Sequence, residues 1–505
     1  MALLLGIDIG TSGTKAIAVD ENGKLIASAS VEYELLTPRP LWAEQRPRDW
    51  WDATCQVCQK IVAQVGADNI SVVGLSGQMH GLVLLDASGQ VLRDAILWCD
   101  GRTQAQCDQI TSRVGRETLI SETANPVLTG FTAPKILWVR EHEPALYERA
   151  AMHLLPKDYI RFELTGEYAT EVSDASGTSL LNVPERKWSE RVCQALDISL
   201  DTLPRVYESV EVSGHISAKG AQATGLREGT PVVGGGGDQA AGAVGNGIVQ
   251  SGIISVTSGT SGVVFAFADT PSVDPQLRLH TFCHAVPNKW HVMGVMLSAG
   301  GSLRWYRDTF CNQEKAVAGL MGLDSYELIT REAAQVAAGA EGLLFLPYLT
   351  GERTPHPDPL ARGAFVGLSI RHSKAHLARA VLEGVAFGLR DSLEIMKSMG
   401  VSIGNARASG GGAKSEVWRA IQADVFGLPL SVVAIEEGPA LGAALLAGVG
   451  AGIYSSVEEA CDAVVKTQPA ARVDEANAAI YDRLYASYSE LYPALKNTFA
   501  RLSSG

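Results

Sequence analysis

Asp238 closes a run of four glycines in Gly234-Gly-Gly-Gly-Asp-Gln-Ala-Ala-Gly242. The apolar Pro231-Val-Val before it reads as the end of a short buried strand, and Ala240, Ala241, Ala243 and Val244 read as the first turns of a packed helix. Glycines let a backbone turn sharply and approach a ligand closely. A carboxylate at a helix N-terminus is kept ionised by the dipole. Two roles fit such a residue: an N-cap, which Asp fills well, or a catalytic carboxylate beside a phosphate-holding loop. The segment alone leaves both open.

A second carboxylate, Asp8, stands two residues before Gly10-Thr-Ser-Gly13. That tetrapeptide recurs as Gly259-Thr-Ser-Gly262, with Thr257 in the place of Asp8. Both copies are flanked by β-rich sequence, so each half of the chain opens with a strand-turn-strand hairpin of the same chemistry, and duplication explains the match. Two such hairpins facing each other present N–H groups and hydroxyls to a polyphosphate from both sides. A carboxylate beside phosphate is repulsive unless a cation intervenes, and Mg²⁺ held through water at Asp8 is the expected mediator. A strand Asp that bonds neighbouring N–H groups is the alternative. Neither a GxxxxGKS/T loop nor a GxGxxG fingerprint occurs, so the phosphate reading rests on the paired hairpins.

The elements that must position these groups follow from periodicity. Residues 3–20 and 23–35 read as three antiparallel strands, Arg48 to Val65 as a helix beginning at Pro47, and Ser71 to Leu75 as a strand ending in Gly77-Gln-Met-His-Gly81. Leu82 to Asp86 and Val91 to Leu97 are expected to pair around an Ala-Ser-Gly turn. Residues 102–116, 132–141 and 156–164 read as helices. In the second half, Ala406-Arg-Ala-Ser-Gly-Gly-Gly412 is a strand entering a Gly-rich turn, Pro439 to Val449 is a small-residue helix suited to close packing on another backbone, and Ala476 to Leu502 is a closing helix. The fold class is α/β, with domains over 1–248 and 249–505.

Composition bounds the function class. A net charge of −13 argues against nucleic-acid and anionic-membrane partners and fits a cytoplasmic enzyme. The N-terminus lacks the basic flank of a signal peptide, and the uncharged stretch 239–268 holds too many polar residues for a membrane span. The eight cysteines are scattered, Cys55 and Cys58 forming a lone CxxC, so reduced buried thiols are expected. His280, Cys283 and His284 lack a partner motif for zinc.

Taken together, Gly6-Ile-Asp-Ile-Gly-Thr-Ser-Gly-Thr-Lys15, Gly234-Gly-Gly-Gly-Asp-Gln239, Ser409-Gly-Gly-Gly412, Thr132-Ala-Pro-Lys-Ile-Leu-Trp-Val-Arg-Glu-His142, and Gly363-Ala-Phe-Val-Gly-Leu368 followed by His376-Leu-Ala-Arg-Ala-Val-Leu-Glu383 resemble the motifs of the FGGY carbohydrate kinases, from residue 3 to about 450. The resemblance implies two ribonuclease-H-like domains of the actin-like ATPase kind around an interdomain catalytic cleft, with ATP and Mg²⁺ as cofactors. It implies that Asp238 is the base, that Asp8 acts at the Mg²⁺, that Met79, His80, Trp98, Asp238 and Gln239 contact the sugar, and that Thr11, Ser12, Thr260, Gly300, Gly411 and Gly412 hold the nucleotide. Gly77-Gln-Met-His-Gly81, Leu97-Trp-Cys-Asp-Gly-Arg102 and Trp42-Ala-Glu-Gln45 are similar to the branch of the family that phosphorylates D-xylulose. Ribulose, gluconate and glycerol are the alternative acceptors, and an actin-fold ATPase without a small acceptor is the alternative of another class. Homodimers are common in the family. Closure over the sugar would exclude water, with hinges expected near 247–253 and 430–440. No role follows from sequence for Lys135, Arg353 or His356.

Overall fold

The computed structural model describes residues 2–434 and 437–503. Two mixed sheets carry the architecture. The first takes its strands from β1 (Leu3–Ile9), β2 (Gly13–Val19), β3 (Leu25–Glu32), β4 (Ile70–Gly77), β5 (Val212–His215) and β6 (Pro231–Val233), in the order β5-β6-β4-β1-β2-β3. The second uses β7 (Gly252–Ser258), β8 (Gly262–Ala268), β9 (His280–Cys283), β10 (Trp290–Met296), β11 (Ile403–Ser409), β12 (Leu430–Val433) and β13 (Thr467–Ala471), in the order β9-β10-β8-β7-β11-β12-β13. In each sheet the opening strand runs antiparallel to its hairpin mate and parallel to a strand from far along the chain: β1 with β2 and β4, β7 with β8 and β11. The register repeats as well, with Asp8 opposite Ser76 and Thr257 opposite Ser409. The duplication read from two tetrapeptides is therefore a duplication of topology, and the expected pair of α/β units is what the chain forms.

Helix α1 (Pro47–Val65) covers the outer face of the first sheet, burying Trp50, Val57, Cys58 and Ile61 against β1 and β2. Its N-terminus follows from Pro47, whose fixed φ suits the first helical position. The opposite face is covered by α2 (Asp238–Gly245) and, from the far end of the chain, by α4 (Gly438–Gly450), while α3 (Lys374–Ser398) fills the outer core of the second sheet. α4 lies on backbone rather than on side chains. A Cβ at Gly6 or Gly74 would stand 2.0 and 1.9 Å from carbonyl oxygens of Ala440 and Ala443, and one at Gly442 would stand 1.8 Å from that of Ala241. The small residues of this segment are there for that approach.

Two expectations change. Leu82 to Asp86 and Val91 to Leu97 meet only through isolated bridges; Val83–Leu85 pairs instead with Met152–Leu154, and Ala95–Ile96 with Glu44–Gln45. Long-range partners outcompete the local hairpin because they bury Leu82, Leu84 and Ile96 against Ala133, Ile136 and Leu137. The closing helix is two helices, Glu475–Ser489 and Leu491–Ser503. Part of the expected hinge near 430–440, Ile435 and Glu436, lies outside the described residues. All eight cysteines are free; six are buried, but Cys99 is exposed.

Candidate active site

Strand pairing brings the two carboxylates together. Ser76 on β4 is opposite Asp8 on one side and Gly236 on the other, because Gly236–Gly237 adds to the free edge at the end of β4. Two strand spacings, about 10 Å, thus separate Asp8 from Gly236 along the hydrogen-bonding direction, and Asp238 follows two residues later. Gly235, at φ 71°, supplies the left-handed step that turns β6 into this edge; a Cβ there would strike the Leu75 carbonyl oxygen at 1.9 Å.

Asp238 is not a cap. Gly237 occupies the N-cap of α2, no side chain caps that end, and the Asp238 carboxylate is left with a long 3.4 Å contact from Gln239 Nε2. Burial, aided by the negative charge of Asp8, pushes its pKa up to about 7. Asp8 is likewise pushed up by burial, to about 6, with Ser76 and Lys15 pulling the other way. Its Oδ1 has no hydrogen-bond partner, so it does not serve the neighbouring N–H groups. Two largely buried carboxylates, each left without strong donors and each with a raised proton affinity, are arranged as groups at functional sites are. An orphan carboxylate oxygen fits a largely hydrated Mg²⁺, which needs only one or two protein ligands. Among the described residues no group of three or more His, Cys, Asp or Glu side chains gathers as a cage for an ion.

A cavity of about 330 Å³ lies between the halves, lined by Asp238 and Gln239 from one side and Thr257, Val263, Ser409 and Gly410 from the other. Beyond it, a second cavity of about 750 Å³ belongs wholly to the second half. Thr260, Gly300, Gly411 and Gly412 all line it, with Ser258 and Trp418. The turn at Gly300 is bonded to the hairpin turn, Gly300 N–H donating to Gly259 O at 2.7 Å and Gly301 N–H to Thr260 O at 3.0 Å. Gly412 is held to glycine by Ser258 and the Trp418 ring, which a Cβ would meet at 2.6 and 3.1 Å. A Cβ on Gly411 would meet nothing within 4 Å.

Thr11 and Ser12 do not line that cavity. Ser12 is exposed at the tip of the first turn. The Thr11 hydroxyl accepts from Trp98 Nε1 at 2.9 Å and donates to Gln78 Oε1 at 3.3 Å, so it belongs to the wall formed by Met79, His80 and Trp98. Met79 joins that wall to the turn that carries Asp238: a Cβ on Gly237 would lie 2.8 Å from its Cγ. Trp98 is 44% exposed, an uncommon exposure for a large indole.

His80 has φ 69°, a left-handed conformation that costs a non-glycine residue about 1–2 kcal/mol. Three bonds hold it. Its carbonyl accepts from Lys135 Nζ at 2.8 Å and Thr132 Oγ1 at 3.1 Å, and its Nδ1 sits 2.7 Å from the Gly177 carbonyl oxygen. An imidazole nitrogen facing a carbonyl must carry the hydrogen. Nδ1–H is therefore spent, and Nε2 is the acceptor. Burial drives the pKa down to about 3, so the ring is neutral, and it stacks on Phe131 at 4.6 Å. Lys135, fully buried and drawn down by burial to about 7, also donates to Gly130 O at 2.6 Å. Its place in a family-like segment was visible in sequence; its hold on the His80 backbone was not. Gly177 carried no signal at all, yet a Cβ there would stand 2.4 Å from the imidazole. A buried charged group, Lys157, Asp158, Arg161, Glu171 and Asp174, supports the Gly234–Asp238 loop from behind: Arg161 donates to the carbonyls of Val233 and Gly234 at 2.6 Å each, and Ser173 Oγ accepts from Gly237 N–H at 3.1 Å.

The comparisons with known proteins agree with this geometry. Residues 3–245 match the N-terminal domain of the FGGY family of carbohydrate kinases and residues 254–451 match its C-terminal domain. The chain is 40% identical to the xylulose kinase of Bacillus subtilis (strain 168) over 506 aligned positions, covering 100% of this chain and 99% of that one. It is 43% identical to the xylulose kinase of Escherichia coli (strain K12) over 458, covering 90% and 92%. The crystal structure of xylulose kinase from Rhodospirillum rubrum, 33% identical, superposes with a TM-score of 0.91 over 99% of this chain and 100% of that one. With both domains matched and the twofold sheet topology in place, the chain belongs to the FGGY family of carbohydrate kinases.

Proposed function

We propose that this carbohydrate kinase transfers the γ-phosphoryl group of ATP to a hydroxyl of D-xylulose, giving D-xylulose 5-phosphate and ADP. One observation carries the reading: Asp238, a weakly solvated carboxylate with few donors, lines the small cavity between a wall of polyol-type contacts and the turns that border the larger cavity. The full-length likeness to relatives named xylulose kinases supports the choice of sugar.

Asp238 accepts the proton of the attacking hydroxyl. The oxygen's electron pair forms the bond to the γ-phosphorus as the bond to the β,γ-bridging oxygen breaks, and ADP leaves. In a loose transition state the proton moves late, so a base of pKa near 7 suffices. His80 Nε2 accepts from a sugar hydroxyl, while Met79 and Trp98 pack beside the carbon chain and Gln239 adds donors next to the base. Thr260, Gly300, Gly411 and Gly412 hold the nucleotide, and Thr11 and Ser12 face it from the other turn when the halves close. Asp8 is the residue that would hold Mg²⁺, which when bound neutralises the charge of the phosphates. The reaction draws on the cytoplasmic ATP pool, and the cytoplasm is its proposed place.

ADP release followed with D-xylulose, D-ribulose, L-ribulose, gluconate and glycerol tests the assignment. The expected result is the highest kcat/KM with D-xylulose; preference for another acceptor, or ADP release indifferent to sugar, overturns it.

A further inference from the structure

Arg353 comes from the second half. It sits half-buried in Gly351-Glu-Arg-Thr-Pro-His356. The backbone around it is fixed. Its N–H donates to Glu352 Oε1 at 2.7 Å, and the same oxygen accepts from Leu297 N–H at 2.9 Å. Thr354 N–H donates to Val295 O at 3.1 Å, Val295 N–H donates to Thr354 Oγ1 at 3.2 Å, and that hydroxyl donates to Arg278 O at 2.9 Å. Thr354 thereby continues the edge of β10 past the point where β9 begins at His280.

The guanidinium itself has no hydrogen bond or ion pair among the described residues. A guanidinium carries five donors and no acceptor, and taking it from water without partners is costly. Glu352 offers little countercharge, since burial pushes it up to about 8. Burial is what chiefly depresses the imidazoles of His80 and His280, and the positive charge of Arg353 adds to it in the same direction. These two rings flank Phe131 and Phe282, with centroids of His80 and Phe282 6.3 Å apart and of Phe131 and His280 5.9 Å apart. The bonds of Thr354 to Val295 and to Arg278 O set Arg353 beside the start of β9, at the His280 end of a ring cluster that His80 joins from the first half.

We propose that Arg353 is a sugar-binding residue: its guanidinium donates to carbonyl or hydroxyl oxygens of the linear ketose at the His80 end, so that the sugar bridges the two halves. This rests on the reading of Met79 and His80 as the sugar wall. It explains why a donor group built into a hydrogen-bonded loop finds no acceptor among the described residues, and it gives the second half a direct means of sensing that the acceptor is in place.

The test is Arg353→Gln and Arg353→Lys in the full chain, with KM for D-xylulose and for ATP measured separately and sugar binding titrated by tryptophan fluorescence without nucleotide. Loss of hydrogen bonds from a charged donor raises the sugar KM and Kd of Arg353→Gln by about 10- to 100-fold, leaves the ATP KM unchanged and lowers kcat less than it raises the sugar KM. Arg353→Lys, which keeps the charge but not the fork, recovers part of the loss. An unchanged sugar Kd, or a loss that falls on ATP, overturns the proposal; so does a folded Arg353→Lys, by circular dichroism, that binds sugar like wild type when Arg353→Gln fails to fold. If wild type itself gives neither turnover nor a fluorescence change with D-xylulose, the sugar-wall reading falls and this inference with it. If wild type responds and both variants respond equally, the Arg353 assignment alone falls.

Discussion

The two Gly-Thr-Ser-Gly turns share sequence, strand pairing and register, yet the protein uses them differently. At the first, Asp8 stands one residue before the strand ends and the Thr11 hydroxyl is committed to Trp98 and Gln78. At the second, Thr257 takes the Asp8 place, donating to or accepting from Ser409 at 2.8 Å, and Thr260 opens on the large cavity. One scaffold carries a carboxylate and packs against Trp98 and Gln78, while its copy is neutral at that place and opens on a cavity of about 750 Å³. A repeated backbone fixes where groups stand; single side chains decide what they do.

The comparison can be broken at its centre. Asp238→Asn keeps the shape but removes the proton acceptor, and kcat falls by about 10²- to 10⁴-fold, read as ADP release; activity within tenfold of wild type would remove the base. In wild type, the base must be unprotonated, and burial raises its pKa to about 7. The acid limb of kcat/KM therefore lies near pH 7, with activity lost below it, rather than near the ordinary carboxylate range.

Making the first turn resemble the second is the next largest change. Asp8→Thr deletes the carboxylate assigned to Mg²⁺ and lowers kcat by about 10²-fold. It also removes a negative charge that raises Asp238, so the residual acid limb moves to lower pH. A limb that stays put would mean that the two carboxylates do not interact. Lys135→Met sharpens the sugar side. It removes one of the two donors to the His80 carbonyl, leaving Thr132, and the expected outcome is a D-xylulose KM about tenfold higher with the ATP KM unchanged; a loss confined to kcat would deny the positioning role. The smallest effect belongs to Trp98→Phe, which removes one bond to Thr11 and should change the sugar KM by about two- to tenfold, measured by steady-state rates.

Much of this was legible because the signals were local. Gly10-Thr-Ser-Gly13 and its copy predict hairpins, and hairpins form. The run Gly234 to Gly237 predicts a sharp turn before a helix, and Asp238 stands there as the first helical residue. What sequence could not give was decided by contacts between distant segments. The N-cap reading of Asp238 fell only because Gly237 holds that position. Val83–Leu85 took Met152–Leu154 as its strand partner and kept only isolated bridges to its neighbour, a competition settled by burial across 67 to 71 positions of chain. The His80 tautomer depends on Gly177, and Lys135 on a carbonyl 55 positions away, neither of which any spacing rule relates.

α4 also constrains how the protein is made. It seals the inner face of the first sheet at Gly6 and Gly74, but it is not translated until residues 438–450. A nascent chain stopped at residue 248 has α2 but not α4 on that face, and the apolar surface at Gly6 and Gly74 must stay sheltered until most of the second half has left the ribosome. Splitting the gene between its two repeats yields not two foldable units but one incomplete unit and one that carries its neighbour's missing helix.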